Sequence, residues 1–311
     1  MNWYKKAEEE AAVSVTPAEF GAMTREERIF LARNERISPE TQRLFFTEPY
    51  EMKGEALVSL ARNPSITPAT QLLFFTEEYE EYEDKSWALC NLAGNPSITL
   101  ETQRLFFTEE YEDKSWALSN LSLNRGITQE TQRLFFTEEY EEKGTILGYL
   151  AENTSITLET QRLFFKEPDL WKNRVLRSLA RNTSITPETQ RLFFTEKYSE
   201  TYWALKFLSQ NRSIHPESQR LFFTEKYEKK HWALRALTDN PSIAPEVQPL
   251  FFTEKYENKG KVLENLAENP SFLRGNFTRN DWLLIKKVVR GKTKLLVLRN
   301  RLEQIYGILF K

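Results

Sequence analysis

The fifteen residues Ser184–Tyr198 read SITPETQRLFFTEKY, and close copies of this stretch recur along most of the chain. Among them are RISPETQRLFFTEPY from Arg36, SITLETQRLFFTEEY from Ser97 and SIHPESQRLFFTEKY from Ser213. An asparagine stands two residues before each of these copies, and the segments between copies differ far more than the copies themselves. The stretch is therefore a repeated structural unit, and its spacing indicates the architecture.

Nine asparagines mark the period of the repeat: Asn34, Asn63, Asn95, Asn124, Asn153, Asn182, Asn211, Asn240 and Asn269. Neighbours are 29 residues apart, except that Asn63 and Asn95 are separated by 32 because EEYEEYEDKSW contains three extra residues. A fixed period of roughly 20 to 50 residues is typical of stacked repeats. A chain of 311 residues would otherwise suggest about two domains. We instead expect one elongated array of about nine repeats.

Each repeat contains two helical signals. In the copy quoted first, Thr186 can cap a helix, Pro187 suits the first helical position and Glu188 faces the positive end of the helix. A second segment, YWALKFLSQN, runs to Asn211, and we expect an asparagine in the left-handed conformation to end this helix. Strand-like alternation is absent. The sequence therefore predicts an all-α fold, a right-handed α-solenoid of two-helix repeats.

Residues that recur in every repeat are candidates for the contacts between repeats. We expect Ile185, Leu192, Phe193 and Phe194, with their equivalents, to form the core. A glutamine also recurs, and a buried amide must find hydrogen-bond partners. We therefore predict that this glutamine binds the backbone of the next repeat, at Gln42, Gln71, Gln103, Gln132, Gln161, Gln190, Gln219 and Gln248.

Two stretches, LARNPSITPATQLLF from Leu60 and LAENPSF from Leu266, resemble the leucine-rich repeat variant family, in which Leu-Ala, Asn-Pro and Thr-Pro precede a helix. More broadly, the chain is similar to HEAT and armadillo-type α-solenoids over roughly residues 15–272. The resemblance implies an architecture rather than a specific function. The period of 29 residues is longer than that family's usual repeat, and the motif LFFTE stands where the family has a leucine-rich segment. Some members carry an iron–sulfur cluster, which Cys90, the single cysteine, could not hold.

The two ends of the chain depart from the repeat. We divide the chain into an N-terminal cap with a shortened repeat (1–33), the helical repeats (34–272) and a C-terminal cap (273–311). The last segment reads as two amphipathic helices broken near a glycine. It contains ten Lys or Arg against Asp281 and Glu303, a net charge of +8 in a chain of net charge −2. This asymmetry suits either a cap with a solvated basic face or a site for an anionic partner.

Four positions of the second helix vary strongly between repeats and share one helical face, because they are spaced i, i+3, i+4 and i+7. We call the stacked faces the variable stripe. In the fifth to seventh repeats the stripe combines cations with aromatic rings, and Arg and Trp are enriched at interface hot spots. The alternative is that the tryptophans are half-buried between repeats and the charges merely solvated. The predicted partner-binding residues are Arg174, Arg177, Arg181, Trp203, Lys206, Phe207, Trp232 and Arg235.

These features predict a non-enzymatic scaffold that binds a protein or peptide, an acidic peptide in particular. The alternative is a nucleic-acid-associated protein that uses the basic C-terminal cap and the Arg/Trp patch. We expect no catalytic residues, cofactor or metal, because two histidines and one cysteine offer few ligands and no nucleophile–base set can be argued. No apolar run reaches the roughly 18 residues of a membrane span and no signal peptide is recognisable, so we expect no membrane partner and a cytoplasmic location.

Overall fold

The computed structural model describes most of the repeat region. The described residues are 12–50, 53–76, 82–196, 201–269, 271 and 300. The two helices predicted for the C-terminal cap therefore lie outside the described residues, except for one position. Within the described residues all regular structure is helical, apart from an isolated bridge between Val13 and Ile37.

The chain divides into two compact units, residues 1–156 (unit 1) and 157–311 (unit 2). Unit 1 contains α1 (Pro17–Gly21), α2 (Arg25–Arg33), α3 (Pro39–Thr47), α4 (Lys53–Ala61), α5 (Pro68–Thr76), α6 (Tyr82–Gly94), α7 (Leu100–Thr108), α8 (Lys114–Leu123), α9 (Gln129–Thr137) and α10 (Lys143–Glu152). Unit 2 contains α11 (Leu158–Leu163), which continues as a 3₁₀ turn, α12 (Asp169–Arg181), α13 (Pro187–Thr195), α14 (Thr201–Gln210), α15 (Pro216–Thr224), α16 (Lys230–Thr238), α17 (Leu250–Thr253) and α18 (Lys259–Glu268).

Within each unit the helices alternate between two parallel rows. The second helices of successive repeats pack side by side. Their order is α2, α4, α6, α8 and α10 in unit 1, and α12, α14, α16 and α18 in unit 2. The first helices form the other row in the same order. The predicted all-α solenoid is thus confirmed as a stack of two-helix repeats in each unit, and its handedness stays a prediction.

The first helix of each repeat begins as the sequence predicts. The Thr186 hydroxyl accepts a hydrogen bond from the Thr189 amide, Pro187 occupies the first turn and Glu188 faces the helix dipole. The same cap recurs at Ser38, where the hydroxyl accepts from the amide three residues later. Each cap satisfies one of the amides that a helix start leaves unpaired, and such caps contribute about 1 kcal/mol.

The asparagine that ends each second helix was predicted to be left-handed, and this prediction is wrong. Asn34 has φ −75° and ψ 117°, an extended conformation that Asn124 and Asn182 share. The side chain explains the recurrence instead. The Asn63 amide donates to the carbonyls of Ala32 (2.8 Å) and Asn34 (2.9 Å) in the preceding repeat. The asparagine is therefore a contact between repeats.

Left-handed residues occur instead at the start of the second helices, at Asp113, Glu142, Lys229 and Asn258. Such a conformation costs about 1–2 kcal/mol in a residue other than glycine. A lysine follows each of these residues, and its ammonium donates to the backbone of the preceding helix. The Lys143 ammonium, whose side chain is buried, donates to the carbonyls of Phe136 (2.9 Å) and Glu138 (2.8 Å) at the end of the first helix.

The recurring glutamine makes the predicted contact with the next repeat. Gln42 Nε2 donates to the Ser65 carbonyl (3.1 Å), and its Oε1 accepts from the Thr67 amide (2.9 Å). Gln190 repeats this pattern with Ser213 (3.2 Å) and His215 (2.9 Å). Because the glutamine reaches forward and the asparagine reaches backward, polar side chains link consecutive repeats in both directions within each unit.

Phenylalanine pairs form the apolar contact between repeats. Phe193 is fully buried, and its ring meets Phe165 of the preceding repeat edge-to-face, with ring centroids 5.0 Å apart. Phe194 meets Phe222 of the next repeat in the same way at 4.9 Å. Ile185 is buried as predicted. Leu192 and Phe194 are only half-buried, so the buried core of this repeat is narrower than predicted.

Candidate functional site

The predicted partner-binding residues all lie in unit 2, on three second helices that pack side by side. Helix α12 places Arg174 and Arg181 at the surface and Arg177 in a half-buried position. Helices α14 and α16 provide the remaining five residues. Trp203, Lys206 and Phe207 are half-buried, and Trp232 and Arg235 are exposed. The alternation of buried Ala and Leu with these variable positions fixes which face each helix presents.

Cations and aromatic rings alternate across neighbouring helices of this stripe. The guanidinium carbon of Arg181 lies 3.8 Å from the centroid of the Phe207 ring, and that of Arg177 lies 5.7 Å from the Trp203 ring. Such contacts contribute about 0.5–1 kcal/mol at exposed sites. The charges are therefore held in place by the aromatic rings of the next repeat rather than only by solvent.

Lys206 occupies the centre of the stripe. Its ammonium nitrogen lies 5.1 Å from the ring centroid of Trp203 on its own helix and 5.7 Å from that of Trp232 on the next helix. The two indole rings are themselves in edge-to-face contact, with centroids 6.4 Å apart. Trp203 is thus half-buried between repeats, as the alternative interpretation expected, while nearly half of the Trp232 side chain stays exposed.

A cleft of about 450 Å³ opens beside Lys206, between α14, α16 and α18. It is lined by Lys206, Gln210, His231, Trp232, Arg235, Ala236, Asp239, Asn258, Lys261 and Val262. Asp239 is the one carboxylate of this lining. Burial raises the pKa of Asp239, while Arg235 and a hydrogen bond from Asn265 oppose the increase. The cleft therefore combines a positive balance of side chains with one indole wall.

Sequence reasoning did not assign Lys261 and His231 to the site. Lys261 lies one period after Trp232 and so belongs to the variable stripe. Its place in the stripe could therefore have identified it from the sequence. His231 precedes Trp232, and its Nδ1 lies 3.5 Å from a carboxylate oxygen of Glu257. Its position became apparent only once the cleft between neighbouring helices was seen.

The stripe of unit 1 has a different character. Trp116 is 70 % exposed and Trp87 65 % exposed, the highest values for tryptophan among the described residues. A cleft of about 330 Å³ is lined by Ser115, Trp116, Ser119, Asn120, Leu123, Glu142 and Tyr149. Sequence reasoning placed most of these residues on the stripe but did not select them, because they lack the cations that distinguish unit 2.

Two further features of the described part of the chain concern metal binding and thiol reactivity. No group of three or more His, Cys, Asp or Glu side chains there could hold a metal ion. Burial, assisted by the negative charge of Asp113, raises the pKa of the Cys90 thiol to about 11. The thiol is therefore protonated at neutral pH and is a poor nucleophile.

In the described segments, no helix combines the length and apolarity that crossing a bilayer requires. Comparison with known proteins gave no match to a protein-family model, to a curated protein or to a solved structure. The helical-repeat architecture is thus established by the structure, whereas the resemblance to the leucine-rich repeat variant and HEAT-like families rests on the sequence motifs.

Proposed function

We propose that the chain is a non-catalytic scaffold that binds an acidic segment of a partner protein on the variable stripe of unit 2. The observation that carries this proposal is the position of Lys206 between Trp203 and Trp232. Helices α12 and α14 there present Arg177, Arg181 and Lys206, cations that neighbouring rings have already oriented. Binding of a ligand therefore costs less side-chain conformational entropy than it would on a surface of lysines that no ring orients.

The chemistry of the stripe favours a peptide with both carboxylates and an apolar side chain. Arg181 and Arg235 are exposed and can meet carboxylates, and guanidinium groups pair with carboxylates through two parallel hydrogen bonds. The exposed part of Trp232 forms a wall of the cleft and can receive an apolar or aromatic side chain. Successive repeats offer such positions along the stack, which suits an extended segment.

The proposal includes the finer assignments that rest on sequence. Membership of the leucine-rich repeat variant or HEAT-like group would be consistent with a binding scaffold, and so would a cytoplasmic location. Fold alone does not name a partner, so the argument depends on the stripe. A nucleic acid is the competing ligand, because arginine and tryptophan also bind phosphates and bases.

Charge reversal at one residue on each helix tests the proposal. Arg181→Glu, Lys206→Glu and Arg235→Glu should weaken binding of a fluorescein-labelled peptide of alternating Glu and Phe by about tenfold or more, because like charges would then oppose its carboxylates. Arg177 is left intact because Arg181 supplies an exposed cation on the same helix. Asp239→Asn should act in the opposite direction and strengthen binding, since it removes the cleft's carboxylate.

The matched control reverses three exposed cations of unit 2 that do not line the cleft, Arg212→Glu, Arg220→Glu and Lys255→Glu. This variant has the same net charge as the first and should keep the peptide affinity. Equal losses in both variants would show that only the overall charge matters, and the proposal would fail. A single-stranded oligonucleotide that binds more tightly than the peptide, and whose affinity falls when Lys286, Lys287, Lys292 and Lys294 are neutralised, would favour the nucleic-acid alternative.

A further inference from the structure

Equivalent tryptophans have a cation of the chain over their rings in unit 2 but not, among the described residues, in unit 1. Trp116 lies three periods before Trp203, and the residue equivalent to Lys206 is Ser119. Trp87 has Cys90 at the same position. As a result, no lysine or arginine of the described residues lies over the ring of Trp87 or Trp116, whereas cations of the chain cover Trp203 and Trp232. Unit 1 presents the same aromatic faces without the cations.

Carboxylates line a cleft beside Trp116. A cleft of about 420 Å³ on one side of the ring is lined in part by Glu110, Asp113, Glu139, Glu141 and Glu142. Glu142 and Trp116 also line the 330 Å³ cleft described above. The indole therefore stands where two clefts meet, with negative charge on one side.

The ammonium groups of the lysines in this region already donate hydrogen bonds to backbone carbonyls. The Lys114 ammonium donates to the Phe107 carbonyl (2.7 Å), as the Lys143 ammonium does one repeat later to Phe136. Each ammonium also lies 3.4 Å from a carboxylate oxygen, that of Glu110 and that of Glu139 respectively.

Glu141 and Glu142 are exposed and form no ion pair with any described residue. Two carboxylates beside Trp116 thus remain available to a ligand. They are available at the place where the aromatic face is most exposed.

We propose that unit 1 binds an arginine-rich segment of a partner protein, with guanidinium groups stacked on Trp116 and Trp87 and paired with Glu141 and Glu142. Arginine fits better than lysine, because its planar group stacks on an indole and pairs with a carboxylate at the same time. A metal ion fits less well, because the described residues offer no group of three ligating side chains. The site has the opposite charge preference to the stripe of unit 2 and does not depend on the function proposed for it.

Fluorescein-labelled nona-arginine amide is the probe, with nona-lysine amide for comparison, and binding to the full chain is followed by fluorescence anisotropy at constant salt. Replacing both rings, Trp87→Leu and Trp116→Leu, should raise the Kd for nona-arginine by about tenfold and that for nona-lysine by less. The rings are mostly exposed, so circular dichroism and the melting temperature should stay unchanged. Glu141→Gln with Glu142→Gln should raise the Kd for both peptides.

Two matched controls separate this site from general attraction to an acidic surface. Trp232→Leu removes an exposed indole that has the Lys206 ammonium over its ring, which repels a further cation, and should leave nona-arginine binding unchanged. Glu40→Gln with Glu101→Gln removes two exposed charges that do not line these clefts and should also have little effect. The proposal is overturned if the double tryptophan variant binds nona-arginine as tightly as the parent protein, or if either control weakens binding equally.

Discussion

Gln190→Leu is the most direct test of how the repeats are held together. The Gln190 side chain is 1 % exposed and makes three hydrogen bonds, from Nε2 to the carbonyls of Ile185 (3.3 Å) and Ser213 (3.2 Å), and to Oε1 from the His215 amide (2.9 Å). Leucine has a similar size but no polar atoms. The substitution therefore leaves little cavity and isolates the hydrogen-bonding contribution.

The expected magnitude follows from these three bonds. Each contributes a net of about 0.5–1.5 kcal/mol, and a buried amide left without a partner raises the cost, so the loss should be about 2–4 kcal/mol. Because repeats interact mainly with their neighbours, the loss should concentrate at the interface between the two repeats joined by Gln190. The midpoint of urea unfolding should fall.

Hydrogen exchange locates the effect. The His215 amide should exchange faster in Gln190→Leu, together with the turn that begins at Asn211, while amides of distant repeats keep their protection. The control is Gln210→Leu, because Gln210 is exposed and should change stability by no more than about 0.5 kcal/mol. The reasoning is refuted if Gln190→Leu keeps both the parent midpoint and the parent exchange rate at His215.

Two further outcomes are expected. Phe193→Ala empties a fully buried position and should cost about 3–5 kcal/mol in thermal or urea unfolding, whereas Leu192→Ala at its half-buried neighbour should cost clearly less. Equal losses would contradict the assigned core. The raised pKa of about 11 keeps Cys90 protonated, so at pH 8.5 iodoacetamide should alkylate the folded protein about a hundredfold more slowly than an ordinary thiol, with the rate rising toward pH 11. A normal rate in the folded state would show that the thiol is not buried as described.

The sequence by itself determined the repeat, the helix starts and much of the core. Each is a local property that recurs every 29 residues, so the chain supplies several independent copies of the same signal. A threonine before a proline and a glutamate fits one kind of helix start wherever it occurs. A glutamine retained among varying neighbours can be recognised as a contact between repeats without coordinates.

Only the tertiary structure decided which groups these residues reach. Second helices such as α8 and α12 do end at the recurring asparagine, as the sequence predicts. Only the structure shows that the Asn63 amide binds carbonyls 29 and 31 residues earlier, because local propensity contains no information about such partners. The lysine at the start of each second helix, such as the buried Lys143, recurs just as visibly, yet its role depends on the end of another helix lying within hydrogen-bond distance. The same reason applies to the tryptophans. The contacts of an indole depend in part on the side chains that stacking brings beside it, because Arg177 of the preceding repeat lies over the Trp203 ring, whereas the Trp116 ring is 70 % exposed.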